Sequence, residues 1–159
     1  MSFDLHLEHF RLGESAQVDR VEVLRLLRQY CQDPAGRFGQ YLLRFPDHAV
    51  VEFHAKGLES GGDFSGCGFH LRGFTSAVLT FVFDLALAGD MVIFNCQAGD
   101  SPESPMAILV NESQRTHLPQ VLRHPILCTS PGHLSQLLGS DFVSWSQLRE
   151  AAIRKHNAL

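Results

Sequence analysis

Apolar and polar residues alternate in several short segments of the chain. In residues 3–8 every odd position is apolar, with Phe3, Leu5 and Leu7 separated by polar residues. A period of two is the pattern of a half-buried strand. Residues 68–72 repeat it, and the β-rich runs 41–45 and 50–55 flank a turn that begins at Pro46. We therefore predict four strands, the middle two joined as a hairpin.

Two segments in the first two thirds of the chain have helical patterns. Residues 18–31 carry apolar side chains on one broad face and end before Pro34, which predicts an amphipathic helix. Residues 76–88 are apolar almost all round, preceded by a capping Thr75 or Ser76 and followed by Gly89. Such a helix is buried on several sides or contacts a partner.

Continuous apolar runs and capping signals predict the rest of the chain. Residues 91–94 and 106–110 are uninterrupted apolar runs, typical of central strands that are covered on both faces. Ser130 and Pro131 begin a short helix that Gly139 closes. Residues 144–147 have the spacing of a capping box and begin a last helix that runs through Lys155.

This order of elements predicts the fold class. Strand, helix, strand, strand, helix, strand is contained within it, so we predict an α+β fold with a largely antiparallel sheet. The expected core is ferredoxin-like, the split βαβ arrangement, with extra C-terminal helices. We find no repeat, linker or low-complexity segment, and we predict one domain over residues 1–159.

Composition and charge restrict the class of partner. The 159 residues are 45% hydrophobic and 19% charged, which is typical of a globular protein. The net charge is −4 and the basic residues are scattered, so we expect no nucleic-acid partner. The most apolar run, 74–87, is interrupted by polar residues and too short to span a bilayer, so we expect no membrane contact.

The cysteines and the N-terminal sequence predict the compartment. The four cysteines lie far apart without C-x-x-C spacing, and we interpret them as buried free thiols. The first residues include Asp4 and lack the basic and apolar regions of a secretory signal. We therefore predict a cytoplasmic protein.

One face of the predicted sheet collects most of the residues that could carry chemistry. If the apolar residues of the strands at 3–8, 50–55 and 68–72 point inward, the polar ones point outward together. The outward set is Asp4, His6, Glu8, Glu52, His54, His70 and Arg72. An open antiparallel sheet normally has a polar face, so a solvated or partner-contacting surface is the simplest interpretation.

Two chemical alternatives use the same face. Imidazoles are zinc ligands, so His6, His54 and His70 are the candidate metal site, although we expect no cofactor. The same groups could supply an acid and a base near neutral pH. Cys67 and His70 are three residues apart and should point to opposite faces, which argues against a thiol–imidazole pair. The chain lacks the nucleophile-elbow, Walker, dinucleotide and zinc-protease motifs.

The segments 1–5, 66–73 and 81–92 also carry a resemblance. They resemble a set of small uncharacterised bacterial proteins, some of which look like immunity proteins of polymorphic-toxin systems. The similarity runs over most of the chain, to the helix of Trp145, and its motifs are core residues and turn glycines. It implies an α+β domain and toxin neutralisation, and it carries over no active-site residue.

We therefore predict a non-catalytic binding protein, immunity-like, that binds a cognate toxin or associates with itself. The alternatives are a small metal-dependent or acid–base enzyme that uses the sheet histidines, and a small-molecule-binding module. The latter would have a pocket between the sheet and the C-terminal helices.

Overall fold

The structure is a computed structural model that describes residues 2–158. The strands in that range are β1 (Phe3–Glu8), β2 (Phe10–Arg11), β3 (Glu14–Ser15), β4 (Gln40–Arg44), β5 (Val50–His54), β6 (Gly66–Leu71), β7 (Val92–Asn95), β8 (Ala107–Leu109) and β9 (Ile126–Leu127). The helices are α1 (Arg20–Leu27), α2 (Ser76–Gly89) and α3 (Pro131–Asn157), with a 3-10 helix at Glu112–His117. The fold is mixed α and β, as predicted.

Seven strands form one large sheet in the order β4-β5-β6-β1-β7-β8-β9, and β2 and β3 form a separate small hairpin. Every neighbouring pair in the large sheet is antiparallel except β8 and β9. The sheet is therefore largely antiparallel, as the sequence predicts. The predicted hairpin is β4–β5, where Asp47 accepts a 3.0 Å hydrogen bond from the N–H of Ala49.

The helices α1 and α2 begin at side-chain caps. Asp19 accepts the N–H of Val21 at the start of α1, and Thr75 accepts the N–H of Val78 at the start of α2. The helix α1 is shorter than the predicted segment 18–31 and buries Val23 and Leu27. Val21, which the pattern placed on the buried face, is 72% exposed, so that part of the prediction is wrong.

The prediction of two C-terminal helices is also wrong. Ser130 caps α3 through the N–H of His133, and Pro131 occupies the first turn as expected. The helix then continues through Gly139 and through the supposed capping box at Ser144 as far as Asn157. Gly139 does not end α3 because glycine in a helix interior is a modest cost that packing of Leu138 and Trp145 outweighs.

All three helices pack against one face of the large sheet. The inward residues of the strands join those of the helices in one hydrophobic core, which includes the seven strand residues predicted to point inward: Phe3, Leu5, Leu7, Val51, Phe53, Phe69 and Leu71. The other face of the sheet, which we call the outer face, carries no α-helix in residues 2–158.

A second, smaller apolar cluster covers part of the outer face. Val92, Ala107 and Leu109 pack there against Phe10 and partly buried residues near Leu118. This explains why β7 and β8 are apolar on both sides, as their continuous runs predict. The outer face of β4, β5, β6 and β1 lies outside this cluster.

No helix in the described range is long and apolar enough to cross a membrane.

Candidate functional site

The candidate site lies on the outer face of β5, β6 and β1, the second to fourth strands in the order of the sheet. Their register places the polar residues in two rows across the strands. In the first row Asp4 is opposite His70, and His70 is opposite Glu52. In the second row His6 is opposite Gly68, and Gly68 is opposite His54.

The first row contains a hydrogen-bonded imidazole–carboxylate pair. His70 Nδ1 and Asp4 Oδ1 are 2.7 Å apart, and Ser2 donates to the same carboxylate oxygen at 2.6 Å. The ring of His54 meets the ring of His70 edge to face, with centroids 4.9 Å apart. Both members of the His70–Asp4 pair remain about 40% exposed, at 39% and 42%. The pair is therefore oriented but solvated.

A second pair runs along β1 instead of across the sheet. His6 Nε2 and Glu8 Oε2 are 2.7 Å apart, and Ser65 donates to the other oxygen of Glu8 at 2.6 Å. Glu8 is mostly buried, which by itself would raise its pKa. Hydrogen bonds from His6, Ser65 and Ser15 outweigh that burial, and the pKa of Glu8 lies below its ordinary value. Glu8 is therefore held as a carboxylate.

The missing side chain of Gly68 leaves a depression in the second row. The depression has a volume of about 450 Å³ and is open to solvent. Its lining includes the three histidines together with Asp4, Lys56 and Cys96. A Cβ at Gly68 would meet only Leu5 O at 3.8 Å and His6 Nδ1 at 3.9 Å, which are ordinary contacts. The depression therefore exists because position 68 has no side chain, while the backbone would accept one.

Two hydrogen bonds with the side-chain amide of Gln97 fix the main chain at Asp4. Gln97 accepts the N–H of Asp4 at 2.6 Å and donates to the carbonyl of Asp4 at 2.9 Å. The amide of Gln97 also donates to the side chain of buried Asn95, which in turn donates to Asp141 of α3. Through these bonds the end of β1 that carries Asp4 is tied to the helical layer.

Neither cysteine near the site is poised as a nucleophile. Cys67 points into the core, opposite to His70, as the spacing predicts, and burial raises the pKa of its thiol far above the ordinary value. Cys96 is exposed, yet the protein around its sulfur and the charge of Asp4 raise the pKa of that thiol as well. Burial and charge thus favour the protonated form of both thiols, which is the less nucleophilic form.

The three histidines do not form a compact ligand set. His54 contacts His70, whereas Gly68 separates His54 from His6. Within residues 2–158 no three His, Cys, Asp or Glu side chains are arranged to hold a metal ion. The zinc alternative with His6, His54 and His70 stays a prediction that metal analysis must test.

Two residues of the predicted outward set, Arg72 and Glu52, do not line the depression at Gly68. Arg72 follows the last residue of β6, is exposed, and lies away from the depression beside α3. Glu52 is exposed opposite His70. Sequence reasoning missed Lys56 and Cys96, which lie just beyond strands. The register of β6 has no bulge, and Gly66 marks a close approach of β1, because a Cβ there would collide with Leu7 O.

Aromatic rings fill the space between β1 and the middle of α3. Phe3, Phe142 and Trp145 contact one another there, edge to face or tilted, with ring centroids between 5.4 and 6.0 Å apart, and Phe74 lies 5.0 Å from Phe3. At this level of the sheet the rings leave no room for the pocket expected of a small-molecule module, whereas an open groove lies further along α3, beside Arg72. The chain matches no protein-family model, no curated protein and no solved structure.

Proposed function

We propose that the chain is a non-catalytic binding protein that receives a protein partner on the outer face of β5, β6 and β1. The observation that carries the proposal is the depression at Gly68, bounded by imidazoles and lying in a sheet face that no helix of residues 2–158 covers. The polar groups around it are already paired with each other, an arrangement that presents a preformed surface.

The extent of the surface favours a protein over a small ligand. The outer face continues from the depression to β4 and β5, where Leu42 and Val50 are 44% and 48% exposed. Apolar side chains among paired polar groups are typical of a protein interface.

The net charge of −4 suits a partner with a positive surface, because complementary charge accelerates association and excludes wrong partners. A basic toxin neutralised by an acidic immunity-like protein is such a pair. Two features support the rest of the proposal: four free cysteines are in keeping with the cytoplasm, and the resemblance to small bacterial proteins with a bacterial cell.

The topology supports a ferredoxin-like core as part of this proposal. The chain passes from β1 through α1 to β5, and from β6 through α2 to β7, while the sheet order is β5-β6-β1-β7. Each helical connection thus joins two strands with a third, antiparallel strand between them, which is the split βαβ arrangement. Strand β4 is then an addition at the edge.

The test fills the depression without disturbing the fold. Gly68→Val adds a β-branched side chain to a strand, at a position where an added Cβ makes ordinary contacts. We expect a melting temperature equal to or above that of the parent protein. The partner tested is the candidate cognate toxin, the product of the gene adjacent to the one that encodes this chain. We expect its affinity for the Gly68→Val variant, measured by co-purification and calorimetry, to be at least about tenfold lower than for the parent protein.

The matched control is Gly73→Ala, because a Cβ there meets nothing within 4 Å and the residue lies outside the depression. It should leave binding unchanged. If the complex survives Gly68→Val with unchanged affinity, the outer face is not the binding surface. If the product of the adjacent gene does not bind the parent protein at all, the immunity-like function is wrong.

The His70–Asp4 pair favours one second candidate, an acid–base enzyme. If the chain is such an enzyme, it should turn over activated esters or amides. The rate should fall by about a hundredfold or more in His70→Gln and in Asp4→Asn. Equal background rates in the parent protein and both variants would eliminate it.

A further inference from the structure

A groove between the end of β6 and the last turns of α3 has the chemistry of an anion site. It has a volume of about 380 Å³ and is lined by Arg72, Arg149, Ala152, Ile153 and His156. The lining contains two guanidinium groups and an imidazole but no carboxylate. In a chain with a net charge of −4, such a concentration of positive charge is a local exception.

Neither arginine of the groove has a carboxylate partner within the described chain. Arg25, Arg28, Arg115 and Arg154 each form an ion pair in residues 2–158, and neither Arg72 nor Arg149 does. Cations in the last turn of α3 offset the negative end of the helix dipole. That explanation does not extend to Arg72, on another element, or to Arg149, two turns earlier.

Arg149 is held in place without being neutralised. Its guanidinium carbon lies 5.6 Å from the ring centroid of Trp145 in a cation–π contact. Trp145 does not line the groove, so its contribution is to position Arg149 through this contact.

From these observations we infer that the groove binds a small carboxylate carried on an apolar body. Guanidinium groups bind carboxylates through paired hydrogen bonds, and Arg72 and Arg149 supply that recognition. Ala152 and Ile153, which is 48% exposed, supply an apolar wall that inorganic phosphate could not use. The site is separate from the depression at Gly68, which shares no lining residue with it.

The chain carries its own reporter for this site, because Trp145 is its single tryptophan. The experiment titrates the full chain with octanoate and follows the fluorescence of Trp145, with octanol and inorganic phosphate as parallel titrations. We expect saturation by octanoate below about 10 mM, the range that a few favourable contacts support. Octanol, which lacks the charge, and phosphate, which lacks the apolar body, should bind at least about tenfold more weakly.

Variants assign the effect to the groove. Arg72→Gln and Arg149→Gln should each weaken octanoate binding about tenfold, whereas Arg154→Gln, on the same helix but paired with Glu150, should not. Since Arg149 touches the reporter, isothermal calorimetry repeats the measurement independently of fluorescence. Gly68→Val should leave the titration unchanged, which separates this site from the proposed binding surface.

Three results would overturn the inference. The first is no saturation by octanoate in calorimetry, and the second is equal affinity for octanol or phosphate. The third is equal affinity of both arginine variants and the parent protein.

Discussion

Glu8 shows how one side chain is set by its immediate neighbours. Its side chain is 13% exposed, and it is held as a carboxylate by bonds from His6 and Ser65. Because its pKa in the folded chain lies below the ordinary value of 4.5, the stabilisation is present above about pH 4.5. It is lost as the pH falls through the folded pKa, when the carboxylate is protonated.

Replacing this carboxylate should therefore change how the free energy of unfolding depends on pH in the acidic range. We expect Glu8→Gln to be about 1–2 kcal/mol less stable than the parent protein near pH 6, the size of a charge-assisted hydrogen bond. The difference should shrink towards about pH 3. Urea unfolding at several pH values measures it. Glu52→Gln is the control, since the side chain of Glu52 is exposed and its carboxylate accepts no hydrogen bond from residues 2–158. A difference that stays constant with pH would contradict the prediction.

His70 allows the binding and zinc interpretations to be separated on one variant. If the outer face only presents a surface, His70→Ala should change the free energy of unfolding by about half a kcal/mol or less, because His70 is 39% exposed. Elemental analysis of tag-free protein should then show no stoichiometric zinc in either form. One zinc per chain that disappears in His70→Ala but not in His124→Ala would instead establish the metal site.

The site residues illustrate what a period of two can and cannot predict. Alternation alone placed His6, His54 and His70 on one face, because the residues of a strand that face outward follow from those that are buried. It could not predict that Gly68 would lie between His6 and His54, since that depends on the pairing between strands. Nor could it predict Lys56 and Cys96, which reach the depression from turns that follow β5 and β7.

At the scale of elements, two of the predicted helix caps are confirmed. Thr75 and Ser130 each accept an N–H where a helix begins, since capping is a local property. Asp19 caps α1, a role that the sequence pattern did not assign to it. Helix ends are decided by tertiary contacts. In α2 the chain leaves through Asp90 in the left-handed region (φ 50°), one residue after the predicted Gly89. In α3 a local capping pattern at Ser144 has no effect inside a continuous helix.

The continuity of α3 can be tested at Gly139. A Cβ there would meet nothing within 4 Å, and the backbone is helical. Gly139→Ala should therefore stabilise the protein by about 0.5–1 kcal/mol, since alanine loses less backbone entropy than glycine. Thermal unfolding should show an increase of roughly 2–4 °C. Gly61→Ala is the contrasting control, because it also meets nothing but has a φ of +76° that strains any other residue. An unchanged or lower melting temperature for Gly139→Ala would indicate a break in the helix.

At the scale of the whole molecule, the short elements escaped prediction. Strands β2, β3 and β9 have two residues each, too few for any periodicity to appear. They matter because they lie at the ends of the sheet order or outside it, and the cluster around Val92 and Phe10 closes the outer face over β7 and β8. What remains uncovered, on β4, β5, β6 and β1, is where the proposed binding surface lies.

The cysteines report whether this molecule unfolds as one unit. Cys31, Cys67 and Cys128 come from distant parts of the sequence and are buried in the same hydrophobic core, while Cys96 is exposed. A single domain should expose the three buried thiols together, because they share one core. In the native state only Cys96 should react with a thiol reagent, and slowly, since its pKa is raised. Pulsed labelling along a urea series, read by mass spectrometry, should then give one midpoint for the other three.

That midpoint should coincide with the fluorescence transition of Trp145 in α3. Cys96→Ser is the control: it should abolish native labelling and leave the three coincident transitions in place. Labelling of Cys128 at lower urea than Cys31 and Cys67 would show that β9 and the start of α3 unfold separately from the rest of the sheet. We expect one transition, because Cys128 is fully buried and lies in the core that holds Leu134 and Leu138 of α3 against the sheet. Its N–H also donates to the carbonyl of Leu109 in β8 at 2.7 Å, so the start of α3 cannot separate without breaking the sheet.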